Sequence, residues 1–109
     1  MWGVDPKKLC NQHLLGEHVE MHMFLGCIIK VINLQGYYDN KLVCTNLIKI
    51  RHDDLAVEMI YRGMKHKSPI IETNLLRNFK YGEIDIEANI NELISRCSKC
   101  RDRLFSEDL

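Results

Sequence analysis

Apolar residues recur at helical spacing in the first third of the chain. They are Leu14, Met21, Leu25, Ile28 and Ile32, with Leu15 and Ile29 beside them. This spacing predicts one long helix that ends near residue 32. Asp5 with Pro6, or alternatively Asn11, supplies a cap of the kind found at helix starts. The helix is therefore predicted to begin near residue 6 or near residue 11.

Two further apolar patterns predict two more helices. The first pattern consists of Ile48, Leu55 and Met59. It predicts a helix from Thr45 or Asn46 to Gly63, because glycine is the residue that most often follows a helix end. The second pattern consists of Ile86, Ile90, Leu93, Ile94, Cys97 and Leu104. With Asp85 as its cap, it predicts a single last helix that closes the core.

The segments between these patterns show no helical period. Residues 33–40 are rich in Gly and Asn and predict a turn, whereas residues 64–84 contain Ser68-Pro69 and predict a long connection. We therefore expect an all-α fold in which three main helices surround one core. A chain of 109 residues that is 46% apolar is long enough for one such domain, residues 1–109, and too short for two.

The composition also predicts the cellular setting. No apolar run approaches the roughly 20 residues of a membrane helix, and the N-terminus lacks the layout of a secretory signal. The five cysteines are an odd number at irregular spacing, which argues against a disulfide framework and fits a reducing compartment. These features predict an intracellular protein without membrane contact, in the cytoplasm of a prokaryote or of an infected host cell.

The distribution of charge is more informative than its sum. Fifteen basic and fifteen acidic residues cancel, so net charge alone gives no case for a polyanionic partner. Residues 41–80, however, carry eight Lys or Arg against four Asp or Glu, and the remaining tail is acidic. A phosphate-facing surface is therefore expected from the middle of the chain. A normally solvated surface is the alternative interpretation.

Ionisable groups are concentrated on the first predicted helix, at His13, Glu17, His18, Glu20 and His22. A rotation of about 100° per residue puts His13, Glu17 and Glu20 along one ridge and makes His18 and His22 a separate pair. Both faces of this helix are polar, and only one of them can be plain solvent surface. The cluster therefore indicates either a solvated helix or a site that carries chemistry.

A metal site is one form that such chemistry can take. His18 and His22 lie one turn apart, as zinc ligands often do, with Glu17 nearby. Their segment does not match the His-Glu-x-x-His pattern of zinc proteases, because its acid occupies the third position. Cys97-x-x-Cys100 lacks the second Cys or His pair that a structural zinc needs, and the apolar stripe favours a core role for Cys97. We expect neither a metal nor an organic cofactor.

Two blocks of sequence resemble a known enzyme family. Gln12-His-Leu-Leu-Gly-Glu-His-Val-Glu20, followed by Phe24 and Gly26, is similar to the first-helix motif of the pyrimidine-dimer DNA glycosylase and lyase family, whose best-known member is phage endonuclease V. Arg51-His-Asp-Asp-Leu-Ala-Val-Glu-Met-Ile-Tyr-Arg-Gly63, continuing to His66-Lys-Ser-Pro69, resembles that family's next helix and loop. The two blocks cover about a third of the chain in the expected order.

The resemblance implies an enzyme that removes a damaged pyrimidine from duplex DNA and then nicks the strand through a covalent imine. The family's nucleophile is the N-terminal α-amine, and bulky Trp2 favours retention of Met1, so Met1 is expected to carry it. Unperturbed α-amines have pKa values of roughly 7.7–8.0, well below the value of about 10.4 for lysine. Glu20 matches the family's catalytic glutamate, which stabilises positive charge on the sugar.

The same resemblance assigns the supporting residues. His13 matches a histidine near the sugar-phosphate, and Glu17 matches a neighbouring acid. Contacts to DNA phosphates are expected from Arg51, Arg62, Lys65 and Lys67. The expected partner is therefore double-stranded DNA with a damaged base or an abasic site. The alternative is a relative of the same fold that has lost its chemistry and binds a nucleic acid or a protein.

Overall fold

Helices account for most of the protein in a computed structural model that describes residues 1–30, 32–66, 69 and 82–106. The α-helices of this part are α1 (Asn11–Ile29), α2 (Gln35–Asp39), α3 (Ile48–Tyr61), α4 (Ile86–Arg96) and α5 (Ser98–Leu104). Two short strands, β1 (Leu42–Cys44) and β2 (Gly82–Ile84), pair antiparallel. The predicted all-α class is confirmed. Within the described ranges, no helix has both the length and the apolar character of a membrane span.

The core lies between α1 and α3, with α4 and α5 closing one end. Its fully buried side chains include Leu14, Met21, Phe24, Ile48, Leu55 and Leu93. Four of these, Leu14 and Met21 on α1 and Ile48 and Leu55 on α3, come from the predicted apolar patterns at intervals of seven residues, as expected for helix faces that pack together. Leu15 and Ile29, predicted beside the α1 stripe, are 42% and 55% exposed, so the buried stripe is narrower than predicted, and Ile32 is 53% exposed. The prediction failed there because α1 ends at Ile29 rather than near residue 32.

The start of α1 resolves the two alternatives left by the sequence. Asp5 accepts a hydrogen bond from the backbone N–H of Lys7 at 3.0 Å and caps a short 3-10 helix, Pro6–Lys8. The α-helix itself begins afterwards, at Asn11. At the other helix with a predicted stop, Gly63 has φ +82° and follows α3 by two positions, so the stop at Gly63 is confirmed.

Three further elements correct the sequence prediction. Residues 35–39, predicted as part of a turn, form the short helix α2. The single last helix is divided at Cys97, whose φ of −133° and ψ of 105° are extended values between α4 and α5. The β1–β2 pair was missed, because strands of three residues are too short to show an alternating pattern. Asp85 does cap α4, through a 3.0 Å bond from the Ala88 N–H.

Hydrogen bonds to α3 and α5 hold the segment that precedes α1 along its length. The Arg62 Nη2 atom donates to the Pro6 carbonyl at 3.1 Å, and Arg103 Nε donates to the Lys7 carbonyl at 2.9 Å. The Lys8 ammonium donates to the Ser106 carbonyl at 3.0 Å. These contacts join the segment to the end of α3 and to the end of α5, so the middle and the C-terminal part of the chain hold it. As a result the chain turns back along α1, and Met1 is only 5% exposed.

Candidate active site

The amino group of Met1 meets the carboxylate of Glu20. It donates to Glu20 Oε1, and it also donates to the Leu42 carbonyl at 2.9 Å. The Met1 side chain is almost fully buried, whereas the Glu20 side chain is 32% exposed. The fold thus brings together the two residues that the sequence singled out as nucleophile and acid, although they are 19 positions apart.

The backbone beside this amino group is held by α4. Asn89 Nδ2 donates to the Trp2 carbonyl at 2.8 Å and to the Met1 carbonyl at 3.3 Å. Asn89 is itself 9% exposed, so water does not compete freely for these bonds. Three elements therefore fix the chain start, since α1 supplies Glu20, β1 supplies Leu42 and α4 supplies Asn89. The amino group and the backbone beside it are therefore held in one place.

Gly3 is required by the same arrangement. Its φ of +70° lies in the left-handed region, which side chains disfavour. A Cβ at this position would lie 2.4 Å from Ile84 Cδ1 and 3.3 Å from Ile86 Cγ1. The backbone of the N-terminal segment therefore approaches β2 and the start of α4 as closely as it does only because residue 3 has no side chain.

A cavity opens beside the contact between the Met1 amine and the Glu20 carboxylate. Its volume of about 370 Å³ is within the range of pockets that bind small molecules. It is lined by Met1, Trp2, Glu20, Leu42, Asn89, Glu92 and Arg96. The Arg96 guanidinium carbon lies 4.8 Å from the centre of the Trp2 ring, and its Nη1 atom lies 3.5 Å from Glu92 Oε1. About half of the Arg96 side chain is exposed. The cavity thus presents an aromatic face, a cation and a carboxylate side by side.

Sequence reasoning missed Trp2, Asn89 and Arg96 as parts of this site. In the sequence Trp2 is only a bulky neighbour of Met1, and Arg96 lies in a tail that carries net negative charge. The one signal in the sequence was the single tryptophan next to the candidate nucleophile. A large aromatic side chain at such a position often packs against a ligand or lines its site. Nothing in the spacing of the chain links residue 2 to residue 96, so their contact is visible only in the fold.

Glu17 and Arg51 are paired with each other inside the protein. Arg51 Nε lies 2.5 Å from Glu17 Oε2, and Arg51 Nη2 lies 2.8 Å from Glu17 Oε1, which makes a two-bond ion pair between α1 and α3. The Arg51 side chain is 9% exposed and that of Glu17 is 0% exposed. The predicted contact of Arg51 with a DNA phosphate stays a prediction.

The other predicted DNA-binding residues differ in their accessibility. Arg62 is engaged in the protein, since its Nε donates to Glu58 Oε2 at 2.7 Å and its Nη1 donates to Asn11 Oδ1 at 2.9 Å. Lys65 is exposed. Lys67 lies outside the described residues. Of the predicted DNA-binding residues that the structure describes, Arg51, Arg62 and Lys65, only Lys65 is therefore exposed.

His13 does not contact the amine directly. Its ring meets the Trp2 ring edge-on with centroids 5.8 Å apart, and its Nδ1 atom lies 3.2 Å from Cys10 Sγ. Burial, and then the nearby charge of Arg96, lowers the pKa of His13 below its usual value. His13 thus lies behind Trp2, where it can position that ring and has the sulfur atoms of Cys10, Cys97 and Cys100 as neighbours.

A second group of histidines lies between α1 and α3. The described rings are those of His18, His22, His52 and His66. Burial, followed by the neighbouring rings of His52, His22 and His66, lowers the pKa of His18 to about 4. The predicted pairing of His18 with His22 is present as an edge-on ring contact, with centroids 5.0 Å apart. The short contacts of the His18 Nε2 atom, however, are with the Nε2 atoms of His52 and His66.

Comparison with known proteins gives one match. The family model described as pyrimidine dimer DNA glycosylase matches residues 1–72, which is the family indicated by the two sequence blocks. The matched span contains Met1, Trp2, Glu20 and Leu42, whereas the cavity residues on α4 lie outside it. No curated protein and no solved structure matches the chain significantly.

Proposed function

The chain belongs to the pyrimidine dimer DNA glycosylase family, and from this premise we propose a reaction in two stages. The protein removes a damaged pyrimidine from duplex DNA and then cleaves the strand at the abasic site, through an imine on the Met1 amine. The observation that carries this proposal is the contact between that amine and Glu20 at the edge of a cavity. Family membership supports the DNA glycosylase activity, and the geometry supports the chemistry proposed for it.

The surroundings of the Met1 amine suit a nucleophile. An α-amine has three positions for hydrogen atoms or a lone pair besides its Cα bond. In the described structure, two of these positions are directed to Glu20 Oε1 and to the Leu42 carbonyl. When the amine loses one proton, the remaining position carries the lone pair that attacks carbon. The two acceptors hold the nitrogen still, which lowers the entropy cost of reaching the reactive geometry.

The reaction begins with attack of this lone pair on C1′ of the damaged nucleotide. A bond forms between the Met1 nitrogen and C1′, and the bond from C1′ to the base breaks, so that the base leaves with a proton. Opening of the sugar ring gives an imine, which acidifies the protons on C2′. Loss of one C2′ proton expels the 3′ phosphate and breaks the strand. Water then hydrolyses the imine, which restores the amine and releases the strand with the unsaturated sugar aldehyde at its 3′ end.

Glu20 serves two roles in this scheme. Its carboxylate lies next to the nitrogen that becomes positively charged, so it stabilises the iminium and the cationic sugar that precede strand cleavage. It also accepts and returns protons at the amine and at the sugar. Its partial exposure, 32%, lets it reach substrate in the cavity. A carboxylate in this place supplies electrostatic stabilisation and proton transfer without any cofactor.

Binding of DNA is proposed to use the cavity rim and the surface lysines. Trp2 offers a face on which an unstacked base or sugar can pack, and Arg96 offers a half-exposed guanidinium for a phosphate. Lys65 and Lys67 remain proposed phosphate contacts. Arg51 and Arg62 remain proposed for the same role, which requires that they exchange Glu17 and Glu58 for phosphate when DNA binds. His13 and Glu17 are proposed to position Trp2 and α1 from behind.

Trapping with borohydride tests the proposal directly. The protein is incubated with a duplex that contains an abasic site or a pyrimidine dimer, and borohydride is added to reduce any imine. We expect a stable protein–DNA adduct whose mass and peptide map place the DNA on the Met1 nitrogen. A matched sample with an acetylated N-terminus has no free amine and is expected to form no adduct. Binding to damaged DNA without an adduct from the free amine would instead indicate the non-catalytic alternative.

Gly3 provides a test of how the amine is positioned. Gly3→Ala forces a Cβ into Ile84 or changes a positive φ, and either change moves the chain start away from Glu20. We expect strand cleavage at abasic sites to fall by about 10²-fold, the usual effect of a displacement near 1 Å. Gly16→Ala is the matched control, because nothing lies within 4 Å of a Cβ there. Equal cleavage rates for Gly3→Ala and Gly16→Ala would contradict this role.

A further inference from the structure

Four side chains of metal-binding type meet where α1 and α5 begin. Cys10 and His13 flank the start of α1, and Cys97 and Cys100 flank the start of α5. One ligand atom from each residue lies within 4.8 Å of the ligand atoms of the other three. We propose that these four side chains bind one Zn²⁺ ion, as a site that stabilises the fold. The proposal does not depend on the reaction proposed above.

The distances within this group fit a tetrahedral ion. Zinc binds sulfur at about 2.3 Å and histidine nitrogen at about 2.0–2.1 Å, so tetrahedral ligand atoms lie roughly 3.4–3.8 Å apart. In the protein, Cys10 Sγ lies 3.9 Å from Cys97 Sγ, and His13 Nδ1 lies 3.2 Å from Cys10 Sγ and 3.4 Å from Cys100 Sγ. Three thiolates and one imidazole are a ligand set that is common in structural zinc sites.

Backbone groups around the sulfur atoms support the same assignment. The Cys10 N–H donates to Cys100 Sγ at 3.2 Å, and the Cys100 N–H donates to Cys97 Sγ at 3.4 Å. Such bonds stabilise thiolates and orient them, which is the second layer that metal sites require. Cys10 and Cys100 are also buried, at 4% and 0% exposure, so a bound ion is shielded from water.

The proposed site also accounts for the break in the last helix. The apolar pattern predicts a continuous helix through Cys97, yet the backbone there is extended and α5 starts anew at Ser98. A continuous helix would still place residues 97 and 100 on one face, but this break turns both sulfur atoms towards the start of α1. The two pairs are about 87 positions apart in sequence, so a metal ion would join the two ends of the fold.

A disulfide is the other product that these cysteines can form. The five cysteines are all free thiols in this structure, and a distance of 3.9 Å between Cys10 Sγ and Cys97 Sγ is well above the bonded value of about 2.05 Å. The presence of His13 among the sulfur atoms favours metal binding, because a histidine contributes a ligand to a zinc site and nothing to a disulfide. The test below separates the two outcomes.

The experiment measures metal content and ligand type on the full chain. The protein is produced with zinc in the medium and analysed by mass spectrometry of the elements. Exchange of zinc for Co²⁺ then reports on thiolate ligands through sulfur-to-cobalt charge-transfer absorption. We expect intense charge-transfer bands in the wild type and the loss of one metal equivalent per chain in Cys97→Ser. Cys27→Ser, which changes a cysteine outside the group, is the matched control and is expected to keep both signals.

Several outcomes would overturn the proposal. Equal metal content in the wild type and Cys97→Ser, or Co²⁺ spectra without charge-transfer bands, would show that the sulfur atoms bind no ion. Detection of a peptide linked by a disulfide among Cys10, Cys97 and Cys100 in protein purified under reducing conditions would do the same. If Cys97→Ser fails to fold, release of one zinc equivalent on thiol alkylation of the wild-type protein gives the same decision.

A second group of ligand atoms carries an independent inference. The Nε2 atom of His18 lies 3.1 Å from that of His52 and 2.9 Å from that of His66, and the last two are 3.3 Å apart. A ring nitrogen either carries a hydrogen or offers a lone pair, and it cannot do both. In a triangle of three such atoms, at least one contact joins two donors or two acceptors. Hydrogen bonds among these three atoms therefore cannot account for all three of the short contacts.

A metal ion removes the conflict, and we infer that these three histidines bind one divalent transition-metal ion. Three lone pairs directed at one ion need no hydrogen between the rings, and neighbouring nitrogen ligands of tetrahedral zinc lie about 3.4 Å apart. His52 Nδ1 lies 2.9 Å from Asp53 Oδ1, the kind of contact by which a carboxylate fixes the ring of a ligand histidine, and its Nε2 atom faces the other two rings. The ion would join α1, α3 and the residues that follow α3.

His66→Ala tests this second site without disturbing the helices, because His66 follows α3. We expect it to lose one metal equivalent per chain while the Co²⁺ charge-transfer bands remain. Lys65→Ala, at the preceding exposed position, is the matched control and is expected to keep the wild-type metal content. Equal metal content in His66→Ala and Lys65→Ala would overturn the inference. Because Cys97→Ser and His66→Ala are read by different signals, either site can fail alone.

Discussion

Glu20→Gln is expected to reduce strand cleavage at an abasic site by about 10²–10⁴-fold, the range for removal of a group that transfers protons. The amide keeps the size of the side chain but has no charge to offset the iminium on the Met1 nitrogen. Single-turnover kinetics on an abasic duplex measures the effect, and borohydride trapping shows whether the imine still forms. A larger loss in cleavage than in trapping would assign Glu20 to the steps after imine formation.

The same substitution is expected to leave the fold and DNA binding nearly unchanged. The ion pair of Glu20 with the amine is partly exposed, so its loss should cost no more than about 1 kcal/mol of the free energy of unfolding. Glu87→Gln, at an exposed position on α4, is the matched control and should cleave at the wild-type rate. If Glu20→Gln cleaves as fast as Glu87→Gln, the carboxylate has no part in the reaction.

In the sequence, Glu20 is singled out by its resemblance to the family's catalytic glutamate. The fold adds a physical reason, since it places the Glu20 carboxylate against the Met1 amine. Its position on the ridge of α1 was predicted, and so was an N-terminal segment long enough to return to it. That the segment does return depends on contacts that no local pattern encodes, such as Asn89 with the Trp2 carbonyl and Gly3 beside Ile84. Helix positions follow from local periodicity, but the meeting of residues 1, 20, 42 and 89 depends on tertiary packing.

The cysteines illustrate the same limit. Spacing alone gives Cys97-x-x-Cys100 no second Cys or His pair, so the sequence does not predict a zinc site there. Its partners, Cys10 and His13, lie about 87 positions earlier and are themselves spaced by three. Each pair supplies only two of the four ligands that a zinc site needs. The spacing within one pair therefore does not predict a site, because the other pair lies at the far end of the sequence. The apolar pattern through Cys97 was real, yet it did not determine where the helix breaks.

The charged residues of the middle segment show a third kind of limit. Their positive sum suggested a surface for phosphates, but charge counts do not say which cations have internal partners. Arg51 and Arg62 have acidic partners on α1 and α3, at Glu17 and Glu58, and both arginines are largely buried. The Arg62 guanidinium donates hydrogen bonds to the N-terminal segment and does not face solvent. Only the acidic residues on neighbouring predicted helices indicate in the sequence that some of these cations can form ion pairs inside the protein.

The buried pair of Glu17 and Arg51 leads to the largest expected change in stability. Glu17→Gln removes one charge and leaves the Arg51 guanidinium buried without an ionic partner. Loss of one member of a buried ion pair typically costs about 3–5 kcal/mol of the free energy of unfolding. For a chain of this length each kcal/mol lowers Tm by roughly 4–8 °C. Urea and thermal unfolding followed by circular dichroism measure the change.

Two comparisons separate this effect from a general loss of charge. Glu83→Gln breaks the exposed Lys41–Glu83 pair, whose atoms are 3.8 Å apart, and should cost less than about 1 kcal/mol. The double variant Glu17→Leu with Arg51→Met replaces both charges by apolar groups and should recover most of the stability lost by Glu17→Gln, because no charge stays buried alone. If the double variant is as unstable as Glu17→Gln, the pair itself stabilises the fold. Since Glu17 lies one turn before Glu20 on α1, its pairing with α3 also fixes the rotation of the helix that presents the Glu20 carboxylate to the amine.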